Sequence, residues 1–149
     1  MKTILIDSGL EEYQLVEGGA PLSFNPGDPN VYARYMEIVP KIKAVEQEMA
    51  GRAKAVDTNA ADAGEQALKI MRETDTRMKR LLDQIFGENN DFDKILCGVN
   101  LMAVGSNGKR VVENLLDALL PIMESGAKSC VRDEVKEAKK VREARRANR

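Results

Sequence analysis

From Val31 the apolar residues fall at Val31, Tyr35, Ile38, Ile42, Val45 and Met49. Steps of three and four fit one face of an α-helix and not a strand, whose side chains alternate. Just upstream, Asn25-Pro26-Gly27-Asp28-Pro29 is the strongest punctuation in the chain. Asp28 suits an N-cap, and Pro29 suits the first helical position, where a missing N–H leaves no bond unmade. Pro40 lies away from the stripe and is expected to kink or break this helix. A second helix is expected after the Ala-rich and polar stretch 51–64. Ala67, Ile70, Met71, Thr74, Met78, Leu81, Leu82 and Ile85 repeat at helical spacing, and Phe86-Gly87 supplies a glycine C-cap signal. Lys69, Arg72, Glu73, Arg77, Lys79 and Arg80 form its expected charged outer face.

Ahead of these helices, Lys2–Asp7 and Glu12–Val16 flank Ser8-Gly9-Leu10-Glu11 and read as a β-hairpin, with Leu22-Ser23-Phe24 as a short third strand. A lone hairpin is marginal in water, so it must pack on something or pair with another chain. In the connector after the second helix, Asn90 or Asp91 is placed to cap a short helix carrying Phe92, Ile95 and Leu96 and ending at Gly98. The last helix opens after Gly105-Ser106-Asn107-Gly108. Val111, Val112, Leu115, Leu116, Leu119, Leu120, Ile122 and Met123 cover too wide an arc for one stripe, which predicts burial among several neighbours. The expected fold class is mainly α: a small N-terminal β-hairpin, a helical bundle of three to four main helices, and a basic C-terminal helix. Residues 1–127 form the expected hairpin-plus-bundle domain, and 128–149 an exposed helical tail.

Charge divides the chain at that boundary. The 149 residues carry 23 Lys/Arg and 24 Asp/Glu, a net charge of −1. Residues 128–149 hold nine of the cations and four of the anions, a net +5, which leaves −6 on the rest. The tail has little apolar stripe beyond Val131, Val135, Ala138 and Val141, so it is read as a solvated or frayed helix. With no His, chemistry that depends on His bases or His metal ligands is excluded. No stretch approaches the ~20 apolar residues of a membrane span, and the three-residue apolar run Ile4-Leu5-Ile6 is too short for a secretory signal core. A cytoplasmic setting with both Cys reduced is expected.

Several local patterns are better explained without chemistry. Asp91, Asp93 and Glu88 do not match a calcium loop, because counting from Asp91 puts Leu96 and Met102 where Gly and Glu are needed. Gly98 to Gly108 precedes Lys109-Arg110, but no hydroxyl residue follows the Lys as a phosphate loop requires. Cys97 has no base to activate it and is expected to be a small buried hydrophobe; Cys130 is expected to be partly exposed. Met36, Met49, Met71, Met78 and Met123 lie on or near apolar faces, as core or as an adaptable groove.

The order of these features resembles one family. Leu22-Ser23-Phe24-Asn25-Pro26-Gly27-Asp28-Pro29 leads into Val31-Tyr32-Ala33-Arg34-Tyr35, a charged helix pair follows, and Ile85-Phe86-Gly87 closes it before a Gly/Asn connector and an apolar helix. Over residues 1–125 this resembles the small tail assembly chaperones of long-tailed bacteriophages, especially those of Gram-positive hosts. The resemblance implies a non-enzymatic protein with no cofactor or metal, acting in the bacterial host cytoplasm. It implies self-association and binding to the helical tape measure protein until tail tube subunits assemble, with the major tail protein as a further partner. The basic tail lies outside the resemblance.

Val31, Tyr35, Ile38, Met71, Met78 and Leu82 are the residues expected to line either the core or a client surface. Lys136, Lys139, Lys140, Arg142, Arg145 and Arg146 are the candidate contacts of the basic tail. Two alternatives stand beside the chaperone: a structural or scaffolding phage protein, and a small helical adaptor binding an acidic partner or nucleic acid through the tail. Among these, nucleic acid is the less expected partner, and no membrane contact is expected.

Overall fold

A computed structural model describes residues 1–148; Arg149, counted above in the basic tail, lies outside them. The element order is β1 (Glu11–Tyr13), β2 (Leu22–Phe24), α1 (Pro29–Lys54), α2 (Ala63–Phe86), α3 (Phe92–Ile95) and α4 (Val111–Ala147). The chain is mainly helical, with a small two-stranded antiparallel sheet ahead of the helices.

The α1 stripe forms as its spacing predicts. The Asp28 carboxylate accepts the Asn30 N–H at 2.9 Å, Pro29 opens the helix, and all six stripe residues are buried. The helix does not break at Pro40, which sits on the exposed side, where water can serve the Met36 carbonyl left without an N–H partner. α2 runs antiparallel to α1, as two ion pairs show: Arg52 to Glu73 at 2.9 Å and Arg77 to Glu48 at 3.0 Å. Between them Ile42, Met78 and Leu82 are sealed from water. Burying each such side chain stabilises the fold by about 1.5–3 kcal/mol. Gly87 ends α2 with φ +94 and its N–H on the Asp83 carbonyl.

Lys79 departs from the expected outer face. Its side chain is buried, and its Nζ donates to Asp75 at 2.9 Å, Asp93 at 2.6 Å and the Val99 carbonyl at 3.2 Å. The connector crosses α2 at this point and covers what would otherwise be a solvent face. Burial opposes the ammonium charge, but the carboxylates of Asp93 and Asp75 outweigh it and hold the Lys79 pKa above the ordinary lysine value. The other oxygen of Asp75 accepts the Leu101 N–H, so Asp75 and Lys79, one turn apart on α2, together hold Asp93, Val99 and Leu101 of the connector. Asp91, not Asn90, caps α3.

Cys97 is exposed rather than buried. It follows α3 in a left-handed conformation, φ +53, ahead of Gly98 at φ +76, and that turn carries its side chain outward. Cys130 is half-buried.

The hairpin pairs different segments from those expected. Glu11, Glu12 and Tyr13 oppose Phe24, Ser23 and Leu22, so the expected third strand is the second. Lys2–Asp7 belongs to no strand and is exposed throughout. The sheet is held to the helices by ring packing: Tyr13 on Phe24 at 5.3 Å, Phe24 on Phe86 at 4.9 Å, and Phe86 on Phe92 at 6.0 Å. The buried Asn90 amide acts as a strand of one residue. It accepts the Ser23 N–H at 2.8 Å and donates to the carbonyls of Ser23 and Phe86 at 2.9 and 2.8 Å.

α4 also differs from expectation. The apolar helix and the basic tail are one continuous helix, and only Val112, Leu115, Leu119 and Met123 are buried. The rest of the body offers α4 a single side to pack on, so its remaining apolar residues stay on the surface or half-covered. Beyond Cys130 every described residue of α4 is exposed.

Replacing Asn90 by Ala leaves three buried or half-buried backbone groups without partners. Asn90→Ala is expected to cost about 2–4 kcal/mol in urea unfolding, with the m-value unchanged. A cost below about 0.5 kcal/mol would show that β2 does not need this closure.

Candidate functional site

The apolar surplus of α4 meets a second apolar row on α1. The core stripe of α1 is flanked by Met36 and Val39, and that of α4 by Leu116 and Leu120. Together with Tyr35 and Pro40 they line a groove of about 480 Å³ between the two helices. Met36 is 56% exposed and Leu120 43%, an open apolar surface rather than core. Tyr35 forms the buried part of the wall; burial, then the Glu124 carboxylate, raises its pKa above the ordinary tyrosine value.

The groove is rimmed by both signs of charge. Lys43, Glu46, Lys109, Glu113 and Asp117 border it, and Lys109 reaches Asp117 at 3.3 Å. Arg110 donates to the Met102 carbonyl at 2.8 Å and approaches Glu46 at 4.0 Å. Both cations after Gly108 are therefore engaged in local contacts. Burial, then the neighbouring Glu113 carboxylate, pushes the Glu46 pKa above the usual carboxylate value, against the pull of Arg110 and Lys43.

The residues singled out from the sequence divide sharply. Val31, Tyr35, Ile38, Met78 and Leu82 are buried, and Met71 is half-buried. Of the two roles open to these six, core packing is the one the five buried residues fill in this conformation. Met36, Val39, Leu116 and Leu120 are the surface that sequence reasoning did not assemble. Their signal was present as a second row one position past each core stripe. Among the tail residues, Lys136, Lys139, Lys140, Arg142, Arg145 and Arg146 are all exposed on the free length of α4. At about 100° per residue, Lys128, Arg132, Lys136, Lys139 and Arg146 fall within a sector of about 80°, with Asp133, Glu134 and Glu137 on the opposite flank.

Among the described residues no group of His, Cys, Asp and Glu is arranged to hold a metal ion, and no helix is long and apolar enough to cross a membrane. Comparison with protein-family models, curated proteins and solved structures finds no match to the chain.

The raised Glu46 pKa has a defined sign. The folded state holds this proton more tightly than the unfolded chain does. The resulting stability is complete below the unfolded carboxylate value of about 4.3 and is lost as pH rises through the folded value. Glu46→Gln is therefore expected to raise the thermal midpoint at neutral pH and to have little effect near pH 3. Thermal melts of both proteins across that range check this; a lower midpoint at neutral pH would contradict it.

Proposed function

We propose that this protein is a non-enzymatic tail assembly chaperone of the long-tailed phage type. It self-associates and holds the helical tape measure protein in the host cytoplasm until tail tube subunits assemble. The observation that supports this reading is the α1–α4 groove, an apolar trough lined by side chains of both helices with charges on its rims. A client helix laid in such a trough inserts apolar residues at i, i+3, i+4 and i+7 while its flanks meet the rim. Met36 suits a long client whose successive turns differ, because its flexible thioether repacks against varied surfaces. The major tail protein is the further partner that this reading admits.

A second reading draws on the tail. Its exposed basic sector favours an adaptor that binds an acidic partner, with nucleic acid as the weaker variant because Glu143 interrupts that sector. A structural or scaffolding role differs from the chaperone in one observable: a chaperone should be absent from finished virions analysed by mass spectrometry.

Co-expression with the tape measure protein should raise that partner's soluble fraction and yield a complex that co-purifies. Leu116→Asp combined with Leu120→Asp should weaken the complex by about tenfold or more while leaving the helical circular dichroism unchanged. If the unaltered chain neither dissolves nor retains the tape measure protein, the chaperone reading is wrong. If the double variant binds as well as the parent, the groove is not the contact.

A further inference from the structure

The segment before β1 has no place in the chain's own fold. Ile4, Leu5 and Ile6 are 88%, 90% and 82% exposed, three consecutive large apolar side chains in water. Among the described residues, Met1 to Ile6 make no hydrogen bond to the rest of the chain. The segment is anchored only where it joins the body. The Gly9 N–H donates to the Asp7 carboxylate at 2.9 Å, and the Asn25 amide donates to the Ser8 carbonyl at 3.1 Å. Gly9, at φ +73, lies so close to Asn25 that a Cβ there would meet the amide at 2.6 Å. This turn delivers Lys2–Ile6 to solvent instead of onto β1 of the same chain.

The sheet offers one place for such a strand. Asn90 closes the outer edge of β2. Because Ser23 turns its N–H and C=O toward Asn90, the opposing Glu12 turns its own toward the open edge of β1. An unpaired edge is a template for another chain. Beside it lies a surface concavity of about 660 Å³, bordered by Glu11 and Tyr13 of β1 and by Pro121 and Ile122 of α4.

We propose that Lys2–Asp7 of one copy adds as an antiparallel strand to the open edge of β1 in a second copy. With Leu5 opposite Glu12, Ile4 and Ile6 fall beside Tyr13 and Glu11 and enter the concavity, since alternate residues share a face. Lys2 brings a cation to an edge that carries Glu11, Glu12 and Glu17. Reciprocal exchange closes the assembly at a two-fold dimer. This inference rests on the self-associating part of the proposed function and gives it a contact; it does not depend on the client.

Light scattering on the full chain should give the mass of two chains, and on Ile4→Glu/Ile6→Glu the mass of one, with the helical circular dichroism unchanged because neither side chain packs within its own chain. A monomeric parent, or an assembly that persists unchanged in the variant, overturns the proposal. Register is tested by disulfide trapping in a Cys97→Ser/Cys130→Ser background. A Leu5→Cys chain mixed with a Glu12→Cys chain should form a mixed cross-linked dimer on oxidation; absence of that species overturns the exchange. A chain carrying both new cysteines that instead closes a disulfide within itself also overturns it, since the segment would then be folding back on its own β1. The Leu116→Asp/Leu120→Asp variant should still dimerise. A dimer that fails to hold the tape measure protein removes the chaperone reading and leaves strand exchange standing. Client binding by a chain that stays dimeric without Ile4 and Ile6 does the reverse.

Discussion

The antiparallel seam between α1 and α2 is the contact on which the other elements depend. Ile42, Met78 and Leu82 close it, and Arg52–Glu73 with Arg77–Glu48 fix its direction from outside. Exposed ion pairs of this kind add little energy, so the pairing is driven by the apolar seam and only registered by charge. Once two helices of this length lie side by side, they present one broad apolar side. The sheet, α3 and the first half of α4 share that side. Among the described residues nothing remains to cover the far flank of α4, and the open groove follows from that shortage.

Small polar and unbranched residues then set how the parts meet. Lys79 joins α2 to the connector through two carboxylates and a carbonyl; Asp93 stays in water, so breaking the link strands chiefly the Asp75 carboxylate, which is already largely out of it. Asn90 closes β2, which leaves β1 as the one open edge among the described residues. Gly126 has a comparable role on α4. A Cβ there would collide with the Pro26 carbonyl, so only glycine lets the loop before α1 lie directly on the helix. That backbone-on-backbone contact is where α4 leaves the body, a few residues before its side chains become fully exposed.

The long helices were legible because their apolar spacing is regular and their caps are chemically specific. Asp28-Pro29, the six-residue α1 stripe and the Phe86-Gly87 stop all appear where the spacing put them. The failures share one physical cause: periodicity assigns a face to each residue but does not say how many neighbours will arrive to cover it. Lys79 looked exposed because its covering segment is a connector with no period of its own. Leu116 and Leu120 looked buried because a wide apolar arc normally implies several neighbours, and here one side is missing. Composition alone makes Lys2–Asp7 a partner strand, yet Leu22–Phe24 takes that position because its Phe24 ring packs tilted on Phe86 and its Ser23 backbone is completed by Asn90. Neither advantage can be seen without the fold. The groove is half legible in the sequence: Met36 reads as core or adaptable contact, while the wide arc holding Leu116 and Leu120 reads as core.

α4 finally explains how one small chain can carry two separate surfaces. Leu116 and Leu120 face the groove with α1, whereas Ile122, Gly126 and Ser129 face the concavity beside β1. At 3.6 residues per turn these two sets centre about 130° apart, on either side of the buried stripe Val112, Leu115, Leu119 and Met123. Occupying one flank therefore leaves the other free, so the proposed strand exchange and the proposed client contact use different side chains. Beyond Cys130 the helix keeps its period but loses its neighbours, and the described part of the basic tail continues away from an acidic body on the same helix. A partner drawn to that charge meets the protein away from both apolar surfaces. The division seen in the charge count is thus a division of the fold, with α4 as the element that separates the three surfaces.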